Sequence, residues 1–149
     1  ELFIKPPKIG TPTPPHQDGF YFCLEPSTAL TAWLALDDMD DENGTLHYVA
    51  GSHKNGVLTH GASQVLGFSQ GVTAGDLAEF GREVDCPLHR GDLLVHDSLT
   101  IHRAEGNTST RLRRALAMVY YGKSTQRDEA AYRRYQDSAK AQQQEMGVH

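Results

Sequence analysis

The sequence holds only two cysteines, Cys23 and Cys86, in 149 residues, too few for a disulfide-stapled scaffold. It has no apolar run near the ~18–20 residues of a membrane-spanning helix, and residues 1–20 do not read as a signal peptide. A basic excess is missing too: 14 Lys and Arg stand against 19 Asp and Glu, for a net charge of −5. That balance argues against a general nucleic-acid binder. No Gly-x-Ser-x-Gly, phosphate loop or dinucleotide fingerprint occurs, so hydrolase, nucleoside triphosphatase and Rossmann readings find no support. Internal repeats and low-complexity linkers are absent as well. One domain over residues 1–149 is therefore expected, cytoplasmic by default.

What is present is histidine, eight in all, and a pattern of short strands. Residues 2–5, 20–24, 30–36, 45–50, 83–88, 92–96 and 113–121 read as strands, divided by Gly, Pro, Asn and Asp. Residues 11–15 read as a Pro-rich extended loop and 51–75 as a long loop rich in Gly, Ser and His. Residues 126–145 turn to Ala, Gln, Glu, Arg and Lys without β-branching, the composition of a polar surface helix. The sum is an all-β jelly roll or related sandwich with one C-terminal helix. The first residues, Glu1-Leu2-Phe3-Ile4, already lie in an apolar segment, as if the chain enters its fold part-way.

Chemistry is concentrated at His16-Gln17-Asp18. In extended chain, side chains two apart share a face, so an imidazole and a carboxylate can take adjacent positions on one metal ion. Non-haem Fe(II) oxygenases complete such a pair with a remote histidine, leaving three positions open. Alone the pair is weak, and a polar loop accounts for it equally well. Downstream, a strand and turn over residues 91–101 deliver His102, and Arg113 follows at the head of the next strand. A buried arginine there suits a bidentate grip on a carboxylate. Alternation puts Arg113 with Ala115, Ala117 and Val119, and Arg114 with Leu116, Met118 and Tyr120. Periodicity does not choose which face is inside, and a solvated cluster of Arg111, Arg113 and Arg114 is the competing reading.

Three stretches carry a resemblance: IKPPKIG…PPHQDGFYF, TAWLALDDMDDENGTLHYVAGSHKNG and LHRGDLLVHDSLTIHRAEGNTSTRLRRAL. Together, over roughly residues 2–121, the chain resembles the phytanoyl-CoA dioxygenase family of Fe(II)/2-oxoglutarate-dependent oxygenases. The resemblance implies a double-stranded β-helix (jelly roll, cupin-like), with the family's N-terminal strands lying upstream of Glu1. It implies His16, Asp18 and His102 as iron ligands and Arg113 as the partner of the far carboxylate of 2-oxoglutarate. Trp33 matches a family position lining the co-substrate pocket; a core aromatic is the alternative.

The activity implied is hydroxylation of a small-molecule substrate, with O2 consumed and succinate and CO2 formed. A carboxylate at Asp18, where family halogenases carry a small residue, favours hydroxylation over halogenation. Two departures stand out. Ala104 replaces a common family serine, so its hydrogen bond is lost or comes from Thr100 or Thr31; Ala50 replaces a turn proline. A non-catalytic metal- or ligand-binding jelly roll is the second reading. A cupin-type metalloenzyme, commonly with three histidine ligands and no need of Arg113, is the third.

Among the other histidines, His96 reads as a core residue or one packed behind the ligands, and His53 as a loop residue near the site mouth. His47, His60, His89 and His149 read as solvent-exposed, and the two cysteines as small buried hydrophobes.

Overall fold

The computed structural model of the chain describes residues 1–63 and 70–145, apart from the side chains of residues 143 and 145. Along the chain run β1 (Leu2–Lys5), β2 (Thr13–His16), α1 (Asp18–Phe22), β3 (Leu24–Glu25), β4 (Ala29–Ala35) and β5 (Leu46–Val49). After these come β6 (His60–Ala62), β7 (Gln70–Val72), β8 (Glu83–Cys86), β9 (Leu93–Asp97), β10 (His102–Ala104), β11 (Arg113–Tyr121), β12 (Gln126–Arg127) and α2 (Glu129–Glu145).

Two four-stranded antiparallel sheets form the body, one in the order β1-β11-β4-β9 and one in the order β2-β10-β5-β8. This is the jelly roll that the strand pattern and the resemblance both imply. Alternation now has a direction. On β11, Arg113, Ala115 and Ala117 are buried while Arg114 is exposed. On β4, Thr31, Trp33 and Ala35 are buried. Trp33, Met39, Leu46 and Tyr48 fill the core between small residues, Ala35, Ala104, Ala115 and Ala117. Phe3 closes that core at one edge, its ring 5.0 Å from Trp33.

The outer face of the first sheet is apolar and open. Leu2, Ile4, Leu30, Leu93 and Val95 are all exposed there, on β1, β4 and β9. Among the described residues no helix is long and apolar enough to cross a membrane.

Several local expectations are corrected. Residues 20–24, expected as a strand, mostly belong to the helix α1. A short run of aromatic and apolar residues fits a buried helical turn as well as a strand. Gly19 allows that turn to sit close, since a Cβ there would lie 2.9 Å from Leu99 Cδ2. Residues 13–15, within the loop expected over 11–15, instead join His16 in pairing with β10 as an edge strand, the place where prolines are tolerated in a sheet. The region 51–75 is not all loop: it holds a 3₁₀ turn, Ser52–Asn55, and the antiparallel pair β6–β7. Residues 64–69 of that region lie outside the described residues, as does His149. The C-terminal helix starts at Glu129, after β12 has paired with β3.

Candidate metal centre

His16 closes β2, and its backbone partner across the ladder is His102, the first residue of β10. Gln17 is extended, with φ −119° and ψ 127°, and hands the chain to Asp18 at the start of α1. The extended residue keeps Asp18 on the His16 side even though a helix begins there. His16 Nε2 lies 3.6 Å and His102 Nε2 3.7 Å from the same oxygen, Asp18 Oδ1. Donors held by one ion at ~2.0–2.2 Å would stand ~3–3.5 Å apart, so a small contraction suffices.

The tautomers suit the same purpose. His16 Nδ1–H donates to Pro14 O at 2.9 Å and His102 Nδ1–H to Thr100 O at 3.0 Å. Each ring then presents its Nε2 lone pair inward, the form a metal requires. Burial, and next the neighbouring His16, push His102 down to about 3, which keeps that ring neutral.

Asp18 divides its two oxygens. Oδ2 accepts from the Thr31 hydroxyl at 2.6 Å and from His96 Nε2–H at 3.2 Å. His96 Nδ1 in turn accepts from the Tyr48 hydroxyl at 2.9 Å. Burial alone would raise the Asp18 carboxyl, but the adjacent His16 imidazole and the hydrogen bond from His96 outweigh it and hold the group far below the ordinary carboxylate range. Oδ1 is left to face the two imidazoles.

The three donors lie on the wall of a cavity of about 640 Å³. Arg113 lines it as well, with only 2% of its surface exposed. Its Nε and Nη2 both donate to Gly44 O, at 3.1 and 2.8 Å. Among the described residues no carboxylate pairs with it, and burial pulls it down to about 10. Lys5, buried in the same cavity wall, donates to the carbonyls of Thr11 and Glu105. Two buried cations without a matched anion make that end of the cavity fit for a ligand carboxylate. Trp33 is both a core residue and part of the cavity wall. Its ring centre lies 5.5 Å from the Arg113 guanidinium carbon, and its buried Nε1 finds no partner.

Other expectations shift. Ala104 is buried in the core, and Thr31 is engaged with Asp18. His96 stands behind Asp18, with its Nε2 3.2 Å from Oδ2. His60, expected in solvent, is half-buried: it stacks 4.0 Å from Phe20 and accepts the Gln17 N–H at its Nε2. His47, also expected in solvent, is buried under acidic neighbours. His89 and His53 are exposed. The sequence signal for Tyr48 and His47 was their alternation on one strand; none existed for His60, whose partners are 40 and 43 residues away.

A jelly roll holding two histidines and one carboxylate, open on one side, is the arrangement used by mononuclear non-haem iron oxygenases. Residues 1–115 match the family Phytanoyl-CoA dioxygenase (PhyH), and the chain belongs to that family. It is 34% identical over 117 residues to phytanoyl-CoA dioxygenase 1 of Oryza sativa subsp. japonica, covering 77% of this chain and 41% of that protein. To the phytanoyl-CoA dioxygenase domain-containing protein 1 homolog of Caenorhabditis elegans it is 33% identical over 122 residues, 75% of this chain and 41% of the other. The chain thus spans about two-fifths of the length of these relatives.

Among solved structures, EvdO2 of Micromonospora carbonacea var. aurantiaca, complexed with 2-oxoglutarate, superposes with a TM-score of 0.70 at 31% identity. That match covers 86% of this chain and 52% of EvdO2. The epimerase SnoN, in complex with Fe3+, alpha ketoglutarate and nogalamycin RO, superposes at 0.66 with 30% identity, over 83% of this chain and 48% of SnoN.

Proposed function

We propose that this chain carries the metal and co-substrate centre of an Fe(II)/2-oxoglutarate-dependent dioxygenase that hydroxylates a small molecule. One observation carries the reading: two Nε2 lone pairs and Asp18 Oδ1 converge on the wall of a cavity that Arg113 also lines without a counterion. His16, Asp18 and His102 would hold the iron. Fe(II), with 2-oxoglutarate and O2, supplies when bound the oxidising chemistry, leaving succinate and CO2.

The chain's own part is positioning. The Pro14 and Thr100 carbonyls fix both imidazole tautomers, and Thr31 and His96 fix the carboxylate. Arg113 binds the distal carboxylate of 2-oxoglutarate through its fork, beside Trp33 and with Lys5 adding charge. The aromatic side chains of Tyr21, Phe22 and Tyr135 line the cavity too, excluding water and offering an apolar wall to a substrate. Asp18 occupies the position a halide would need, which favours hydroxyl transfer.

Succinate formation by the purified chain with Fe(II), 2-oxoglutarate and O2 tests the proposal. Turnover is expected in the wild type and none in His16→Ala or Asp18→Ala. Loss of one partner of a buried charge pair costs ~2–5 kcal/mol, so Arg113→Gln should raise the 2-oxoglutarate KM at least ~30-fold. Metal bound without turnover would support the non-catalytic reading instead, and no metal bound at these residues would overturn both.

A further inference from the structure

The outer face of the second sheet carries a separate cluster. His47 on β5 points away from the cavity, between Arg103 on β10 and Asp85 on β8 in the ladder registers. Although it faces outward it is only 7% exposed. Its Nδ1–H donates to Asp85 Oδ1 at 2.8 Å, with Glu83 Oε1 3.8 Å from the same nitrogen. That bond turns the Nε2 lone pair toward Asp41 Oδ1, 3.8 Å away. Nε2 is fully buried and has no hydrogen-bond partner. A buried nitrogen left unsatisfied is costly, and here it is aimed at a carboxylate that can only accept. The two lone pairs repel unless a proton or a cation lies between them.

We infer that His47 Nε2 and Asp41 hold a second divalent metal ion, with Asp85 behind the imidazole fixing its tautomer, at a site distinct from the centre at His16, Asp18 and His102. One donor atom from each of the three lies within 4.8 Å of the others. Ion bonds of ~2.0–2.2 Å need donors ~3–3.5 Å apart, within a small swing of Asp41, whose side chain is largely exposed. Arg103 faces the same cluster but is committed elsewhere: it grips both oxygens of Glu83 and also Glu105. Asp41 and Asp85 therefore keep two negative charges for an incoming ion. An imidazole nitrogen among carboxylates suits Zn2+, Fe2+ or Co2+ better than Mg2+ or Ca2+, which take oxygen alone. Such an ion would clip the acidic turn before β5 to the β5–β8 pair, on the side of the sheet opposite the cavity.

Cobalt counting by anaerobic equilibrium dialysis tests this, with Mg2+ in 100-fold excess to suppress binding by carboxylates alone. Two Co2+ are expected per wild-type chain, one in His16→Ala/His102→Ala, and none when His47→Gln is added. Asp41→Asn, at an exposed position, should lower the wild-type count from two to one while leaving succinate formation unchanged. Asp85→Asn should weaken the second site 10–100-fold, as loss of a partner behind a ligand does. A wild-type count of one that vanishes with His16 and His102 would overturn the inference and leave the proposed function standing. A second ion indifferent to His47→Gln and Asp41→Asn would overturn it as well. An ion lost only through His47 or Asp41 supports it even in a chain that makes no succinate.

Discussion

At the scale of single residues, the candidate centre depends on a carboxylate whose two oxygens do different things. Thr31 and His96 occupy Asp18 Oδ2, which leaves Oδ1 toward His16 and His102. Thr31→Val keeps the shape and removes the hydroxyl donor, so Asp18 can turn. Weaker Fe(II) or Co(II) binding by 10–100-fold is expected, read by dialysis, with the fold intact by circular dichroism. Lys5 offers a pH test. Burial, and then Arg113, push it down to about 8 from 10.5. Below pH 8 it is charged in folded and unfolded chains alike. Between about 8 and 10.5 the unfolded chain holds the proton and the folded chain has lost it, so this residue's contribution to stability rises with pH across that window. Urea midpoints of wild type minus those of Lys5→Met should therefore climb from pH 8 to 10; a flat difference would contradict the burial of the charge. His16, Asp18 and His102 were legible from residue type and resemblance. The roles of Thr31, Tyr48 and His60 were not, because their partners are brought near only by folding.

At the scale of elements, the turn before β5 does two jobs. Gly44 has φ +82°, and a Cβ there would sit 2.4 Å from Glu105 O. Its carbonyl is the one that holds Arg113. Gly44→Ala should destabilise the chain by more than about 1 kcal/mol and raise the 2-oxoglutarate KM, since the displaced carbonyl takes the guanidinium with it. Chemical denaturation and steady-state kinetics would show both. Asp128 caps the start of α2, its Oδ1 accepting from the N–H groups of Ala130 and Ala131. Asp128→Ala should cost about 1 kcal/mol and loosen the helix that places Tyr135 on the cavity, seen as faster amide exchange in residues 129–135. Strand existence was legible in β1, β4, β5, β9 and β11 because each is a short apolar or alternating run bounded by turn-forming residues. α1 and β2 were misread because a five-residue aromatic turn and a proline-bearing edge strand owe their form to what they pack against.

At the scale of the molecule, one sheet face is spent on the cavity and the other is left apolar. Leu2, Ile4, Leu30, Leu93 and Val95 lie exposed on three strands of one sheet, β1, β4 and β9, more than scattered surface leucines. A hydrophobic dye should bind this chain strongly, and Leu93→Lys/Val95→Lys should cut the fluorescence while leaving metal binding unchanged. What the residues alone determined was the alphabet of the protein: short strands, a polar helix at the end, and an imidazole and a carboxylate two residues apart, able to share an ion. Those follow from local rules, the period of a strand and the chemistry of side chains; the family resemblance added His102. Which parity of β11 faces inward was decided only by tertiary pairing, because a strand's two faces are equivalent until a sheet packs on one. That choice buried Arg113 and exposed Arg114; packing of the second sheet likewise turned both Nε2 atoms onto Asp18 and set His47 on its opposite side among acids.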